Sequence, residues 1–226
     1  MCGRFALIVD ASVLADVFDV DPPRGIAPRF NIAPTQTVAI VRAGNARPRE
    51  LVTVRWGLVP SWAKDESIGA RMINARAETV AEKPSFRSAI KSRRCLVPAS
   101  GFYEWVKTGS VKQPHFIHFT DDRPFAFAGL WERWSKGAEP LDSCTIITTS
   151  PNELISGLHD RMPVILPPEH HDEWLAPEPL PPERLADLLV PHPAESMEAY
   201  PVSTRVNRPG NDDPECIARV EGSFER

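Results

Sequence analysis

The chain is poor in cysteine, and the few it has are scattered. Cys2, Cys95, Cys144 and Cys216 stand far apart with no C-x-x-C pair. This excludes a zinc-finger or thioredoxin-like motif and does not resemble a disulfide framework. His170-His171 brings no further ligands with it, so neither a metal site nor a cofactor is expected. Long apolar runs are missing too: no stretch approaches the roughly 18 residues that a membrane span needs. The opening MCGRFALIVDAS has a short apolar run and no cleavage site, so it does not read as a secretory leader. A soluble, cytoplasmic monomer with no membrane partner is expected. Neither an internal repeat nor a linker-like stretch interrupts the sequence. With 42% hydrophobic and 25% charged residues, the 226-residue chain is also no disordered or collagen-like polymer.

Proline is in excess, with 24 residues, about twice the usual share of roughly 5%. Fixed φ angles and missing N–H donors favour short elements joined by rigid loops. Charge is divided unevenly. The net charge is −4, yet residues 1–120 hold 17 Lys and Arg against 10 Asp and Glu, and residues 121–226 hold 9 against 20. Segment 29–94 is steeper, with 13 basic and 5 acidic residues. A local basic surface attracts polyanions whatever the total charge.

Hydrophobic patterning places strands at CGRFALIV, TVAIVR (37–42), LVTVRWG (51–57), CLVPAS, GFYEWVK, HFIHF, FAFAGLWE and SCTIITTS. The second and third form a hairpin around Gly44-Asn45. Residues 21–36 read as a structured loop, and Asp10-Ala-Ser12 caps a helix over VLADVF. Helical character is expected in ARAETVAEK, in FRSAIKSR behind a Ser85 cap, after Ser150 with Pro151 in the first turn, and in HHDEWL and PPERLADLL. The fold class is α+β: a single domain with a β-rich, antiparallel barrel-like centre flanked by short helices. The expected division is a domain over 2–210 and a C-terminal extension over 211–226.

Cys2 follows the initiating methionine, and methionine before a small residue is commonly removed. A free N-terminal cysteine presents two nucleophiles on adjacent carbons. Its α-amine, with a reference pKa of roughly 7.7–8.0, is partly neutral at physiological pH. Toward an aldehyde, the amine forms a Schiff base and the thiol closes on the same carbon to give a thiazolidine. Cys95, Cys144 and Cys216 sit in strand-like or loop surroundings and read as inert.

MCGRF, NIAP (31–34), WGLVPSWA (56–63), INARAET (73–79), RRCLVPASGFYEW (93–105), AGLWE (128–132) and LHDRMPVIL (158–166) occur in this order. Together they resemble the SOS response-associated peptidase family, whose members sense abasic sites in single-stranded DNA. The resemblance runs from Cys2 to about Asn207. It implies removal of Met1, attack by Cys2 on the ring-opened sugar aldehyde, and a crosslink that shields the lesion. It further implies that Asn74 orients the reacting groups and that Glu104 and His159 assist proton transfer. The residue types suit those roles. His159 has a reference pKa near 6.5, and the apolar neighbours Phe102, Tyr103 and Trp105 would raise that of Glu104.

Arg4, Arg76, Arg87 and Arg161 lie in or beside the motifs, and guanidinium groups match phosphate geometry. Trp62 could stack beside a base at the lesion. The expected partner is therefore single-stranded DNA containing abasic sites, with weak lyase activity and slow crosslink reversal as accompanying expectations. Two rivals remain open at this stage. One is a cysteine peptidase built from Cys2, His159 and Glu104; the other is a non-covalent single-strand binder.

Overall fold

The β-branched and aromatic runs do become strands, and the chain's α+β fold is organised around a closed five-stranded barrel. A computed structural model describes residues 2–22, 25–44, 47–108 and 111–220. The first half contains β1 (Phe5–Leu7), α1 (Ala11–Phe18), β2 (Arg29–Ile32), β3 (Thr37–Ala43), β4 (Arg49–Trp56), β5 (Asn74–Arg76) and α2 (Ala89–Ser92). The long strands follow: β6 (Arg94–Ala99), β7 (Gly101–Thr108), β8 (Val111–Phe119), β9 (Phe125–Trp134) and β10 (Leu141–Thr149). Short elements complete the chain: α3 (Glu153–Ser156), β11 (Met162–Pro163), β12 (Ile165–Leu166), α4 (His171–Leu175), α5 (Pro182–Leu188) and β13 (Met197–Pro201). Among the described residues, no helix is long and apolar enough to cross a membrane.

The barrel closes because β9 pairs with β6 on one side and β10 on the other, while β10 reaches β4, β3 and back to β6. Every residue of β6 is buried, as expected of a strand covered on both faces. The barrel is not wholly antiparallel: β10 runs parallel to β4 through Ser143↔Arg55 and to β5 through Ile146↔Asn74. Between β4 and β5 the chain leaves the barrel as a loop over 57–73. Gly57 makes that exit at φ 122°, with Gly69 so close that a Cβ on Gly57 would lie 2.5 Å from its carbonyl oxygen. A second sheet, in the order β13-β8-β7-β1-β2, stacks its apolar face on the barrel, with Phe5 against Trp56 and Phe127 at 5.2 and 5.8 Å.

Several sequence expectations need correction. The 21–36 loop contains β2, which pairs with β1 through Phe5↔Ile32. In ARAETVAEK (75–83), Ala75 and Arg76 belong to β5 and only Ala77–Thr79 forms a single 3-10 turn. Pairing with β10 overrides the helical propensity of Ala75 and Arg76. The FRSAIKSR helix shrinks to α2, which starts after Ser88 rather than Ser85. In the segment after Ser150 the cap is Asn152, whose side chain accepts from the Ile155 N–H, so Pro151 precedes the helix. The β3–β4 hairpin forms in full register, but Asn45 of its expected turn lies outside the described residues, as does Met1.

Residues 202–217 fold back across β1 and β2. Asn31, completely buried, donates through Nδ2 to the carbonyls of Val206 (3.1 Å), Arg208 (3.1 Å) and Asn211 (2.6 Å). Asp212 accepts from the backbone N–H groups of Phe30 (2.6 Å) and Asn31 (3.0 Å) and pairs with Arg29. Cys216 is buried in the same small cluster as Ala6 and Tyr103.

Candidate active site

Antiparallel pairing between β1 and β7 directs the amino-terminal segment. Phe5 lies opposite Phe102 and Ala6 opposite Gly101, and Tyr103 N–H donates to the Arg4 carbonyl at 3.0 Å. Carrying that register back sets Gly3 across from Glu104, with Cys2 next in line. Cys2 has no exposed surface. Burial pushes its thiol well above the ordinary cysteine range, and the Glu104 carboxylate pushes it further. The thiol is therefore protonated at neutral pH and needs a base before it can act as a thiolate.

Glu104 is 3% exposed, and burial raises its pKa from 4.5 to about 7, with the Asp160 charge adding to the rise. A carboxyl poised near neutrality gives and takes a proton with nearly equal ease, as general acid–base catalysis requires. The direction is the one expected, although Tyr103 and Trp105 stand on the opposite face of β7 and only Phe102 shares the Glu104 side.

His159 follows α3, and its N–H is bonded to the Ile155 carbonyl at 2.8 Å. Its Nδ1 lies 2.8 Å from Asp160 Oδ1 and 3.0 Å from the Arg161 N–H. A bare Nδ1 accepts from Arg161, whereas a protonated Nδ1 donates to Asp160. Both protonation states thus have a partner. Burial lowers the imidazole pKa, although Asp160 opposes this. The ring is predominantly neutral at physiological pH, which makes it a resting base rather than a resting acid.

Asn74 stands at the start of β5. Its Nδ2 reaches the Ile146 carbonyl only at 3.5 Å, and its buried Oδ1 finds no hydrogen-bond partner among the described residues. Such an acceptor is costly unless something else uses it. Trp56 connects this strand to β1: its ring packs on Phe5, and its Nε1 donates to Ile73 at 2.9 Å. Mutual charge effects link Cys2 to Glu104 and Glu104 to Asp160, beside His159. The four residues singled out in the sequence come from four separate places in the fold: the segment before β1, the start of β5, β7 and the turn after α3.

Sequence reasoning passed over two neighbours. Asp160 is adjacent to His159 and in contact with it. His115 lies directly across from Glu104 in the β7–β8 register and is 2% exposed. Directly opposed residues share a sheet face, so the alternation in HFIHF, with Ile117 across from Phe102, carries the signal for it.

The basic candidates divide into two groups. Arg4 Nη1 donates to Asn31 Oδ1 and to the Val206 carbonyl, both at 2.7 Å. Arg161 grips Glu78 at 2.6 and 2.9 Å and donates to the Thr148 carbonyl at 2.6 Å. Both guanidinium groups therefore serve contacts within the protein. Arg76 and Arg87 are exposed and make no side-chain hydrogen bond or ion pair among the described residues. Trp62 is 52% exposed on the 57–73 loop, and its Nε1 donates to Pro84 at 3.3 Å. That bond brings the indole next to the segment carrying Lys83 and Arg87. Cys95 and Cys144 are buried in the barrel, where burial raises both thiols.

Known proteins share this architecture. The chain is 49% identical over 223 residues to abasic site processing protein YoaM of Bacillus subtilis (strain 168), covering 96% of this chain and 97% of the relative. It is 37% identical over 198 residues to abasic site processing protein HMCES of Gallus gallus, covering 76% of this chain and 58% of that protein. A crystal structure of a Bacteroides thetaiotaomicron protein superposes with a TM-score of 0.87 at 29% identity, over 97% of this chain and all of that one. Residues 1–209 match the SOS response associated peptidase (SRAP) family as a whole. With a match of that extent, the chain belongs to the SOS response associated peptidase family.

Proposed function

We propose that this protein processes abasic sites by covalent capture, with Cys2 as the residue that joins the DNA once Met1 is removed. The Cys2 amine attacks the aldehyde carbon of the ring-opened sugar to give a carbinolamine. Protonated Glu104 gives its proton to the departing hydroxyl, water leaves, and an iminium forms. The Cys2 sulfur then adds to the same carbon, and its proton passes to ionised Glu104 or neutral His159. The iminium nitrogen retains one N–H as the neutral amine of the ring. The balance is one aldehyde and one cysteine giving one thiazolidine and one water.

The observation that carries this reading is the pairing of a wholly buried, protonated Cys2 thiol with a buried Glu104 carboxyl poised near 7. Asn74, with its uncommitted Oδ1, is assigned to hold the amine or a sugar hydroxyl. Arg76, Arg87 and Trp62 are assigned to the strand: guanidinium on phosphate and indole on a base read no sequence. Arg4 and Arg161 are assigned to support the site from within. An abasic nucleotide has no base to unstack, and it alone presents an aldehyde, so selection precedes chemistry.

The test is a denaturing gel of wild type and Cys2→Ala with an abasic single strand, read beside intact mass. The expected result is a covalent band for wild type whose mass lacks methionine, and none for Cys2→Ala or for chains that keep Met1. Covalent attachment by a Met1-bearing chain would overturn the reading. So would turnover of an unrelated peptide without DNA, the outcome expected of a peptidase.

A further inference from the structure

A cavity of about 630 Å3 opens between α1, the β8–β9 turn and the segment after β12, and its described lining includes none of Cys2, Asn74, Glu104 and His159. Its volume is that of an ordinary small-molecule site. The walls are aromatic: Phe18, Phe119 and Phe125, the last two with ring centroids 4.6 Å apart. Two imidazoles stand among them. His171 stacks on Phe18 at 5.8 Å and 14°, and His192 on Phe119 at 4.9 Å and 27°. Pro124, Pro167, Pro168 and Pro193 supply much of the rest. Their fixed φ angles limit how far those parts of the wall can rearrange.

Hydrogen bonding fixes what the imidazoles offer. His171 Nε2 lies 3.2 Å from the Leu166 carbonyl, which only accepts, so Nε2 carries the ring proton. Ser196 donates its hydroxyl to Pro193 at 3.2 Å, so its oxygen accepts from His192 Nε2 at 2.9 Å. Each ring is left with Nδ1 as an acceptor, and neither Nδ1 has a hydrogen-bond partner among the described residues. Burial lowers the pKa of both rings, and the Arg123 charge lowers that of His192 further, so both are neutral. His171 is only 2% exposed, and both imidazoles line the cavity.

We propose that this cavity binds a flat, neutral aromatic molecule bearing N–H or O–H donors. The aromatic walls take the ring faces, and the two Nδ1 acceptors take the donors. A net charge of either sign is not favoured. Arg123 and Glu169 both line the cavity, and Arg123 is already engaged by Asp121 at 3.2 Å and by the Phe119 ring at 5.2 Å. The inference is independent of the chemistry at Cys2.

The experiment titrates the full chain with 5-hydroxyindole and with 5-methoxy-1-methylindole, the same ring with both donors capped, followed by NMR. The expected result is saturable one-to-one binding of 5-hydroxyindole, with shifts at Phe18, Phe119, His171 and His192. The capped probe should bind about tenfold more weakly, or less. His192→Phe keeps the ring stack, removes one acceptor and should narrow the gap between the probes. Equal binding of the two probes by the wild type would overturn the proposal. Failure of 5-hydroxyindole to saturate, or shifts confined to the exposed Trp62, would do the same. The wild-type comparison decides even where the variant fails to fold.

Discussion

Replacing Glu104 with glutamine should make the protein more stable at alkaline pH and leave it nearly unchanged in acid. Burial lifts this carboxyl from 4.5 to about 7 in the folded state, so the native chain holds the proton more tightly than the unfolded chain does. Stability on this account is highest below 4.5, falls as pH rises through 4.5 to 7, and levels off above 7. At about 1.4 kcal/mol per pKa unit, the ionised carboxylate costs about 3 kcal/mol above pH 7. Glutamine keeps the size of the side chain without the charge. The assay is urea unfolding of wild type and Glu104→Gln from pH 4.5 to 8.5, each preparation matched for N-terminal state by intact mass. The difference in unfolding free energy should grow by about 3 kcal/mol across that range. Any constant offset belongs to the amide itself. Two profiles running parallel would show that the buried carboxyl is not raised, and the assignment of Glu104 as the proton carrier would fall with it.

Trp62→Ala should weaken binding to single-stranded DNA by about 1–3 kcal/mol, as loss of one base–aromatic stack does. Because the ring is half exposed, the melting temperature should stay within a degree or two, which calorimetry checks. Arg76→Ala and Arg87→Ala should each reduce the slope of log affinity against log salt by about 0.7, read by fluorescence anisotropy, with no change in capture rate at saturating DNA. Asn31→Ala removes the side chain that joins Arg4 to three carbonyls of the returning chain. It should cost about 2–4 kcal/mol in denaturant unfolding, and a loss below 1 kcal/mol would refute the importance given to that network.

The strands of the barrel were legible because they are short runs rich in β-branched or aromatic residues, bounded by turn signals. What escaped was decided by distant partners. RFNI does not read as a strand because Asn31 is polar. It is buried all the same, because carbonyls some 175 residues further on accept its amide. Ala75-Arg76 reads as helical until β10 is present to pair with it. The parallel contacts of β10 with β4 and β5 leave no local trace at all. The candidate site divides in the same way. Cys2, Asn74, Glu104 and His159 sit in recognisable motifs, whereas His115 becomes relevant only through the register that sets it opposite Glu104. Charge patterning pointed to arginines without distinguishing Arg161, committed to Glu78, from Arg87, which is not.

The strap that holds Asn31 also has a consequence in time. A ribosome makes β1 and β2 well before the residues that brace them. Arg4 lacks its Val206 acceptor, and Phe30 and Asn31 lack Asp212, until 181 to 202 further residues have been made. Chains halted before residue 212 should therefore hold β1 and β2 less firmly than the longer chain does.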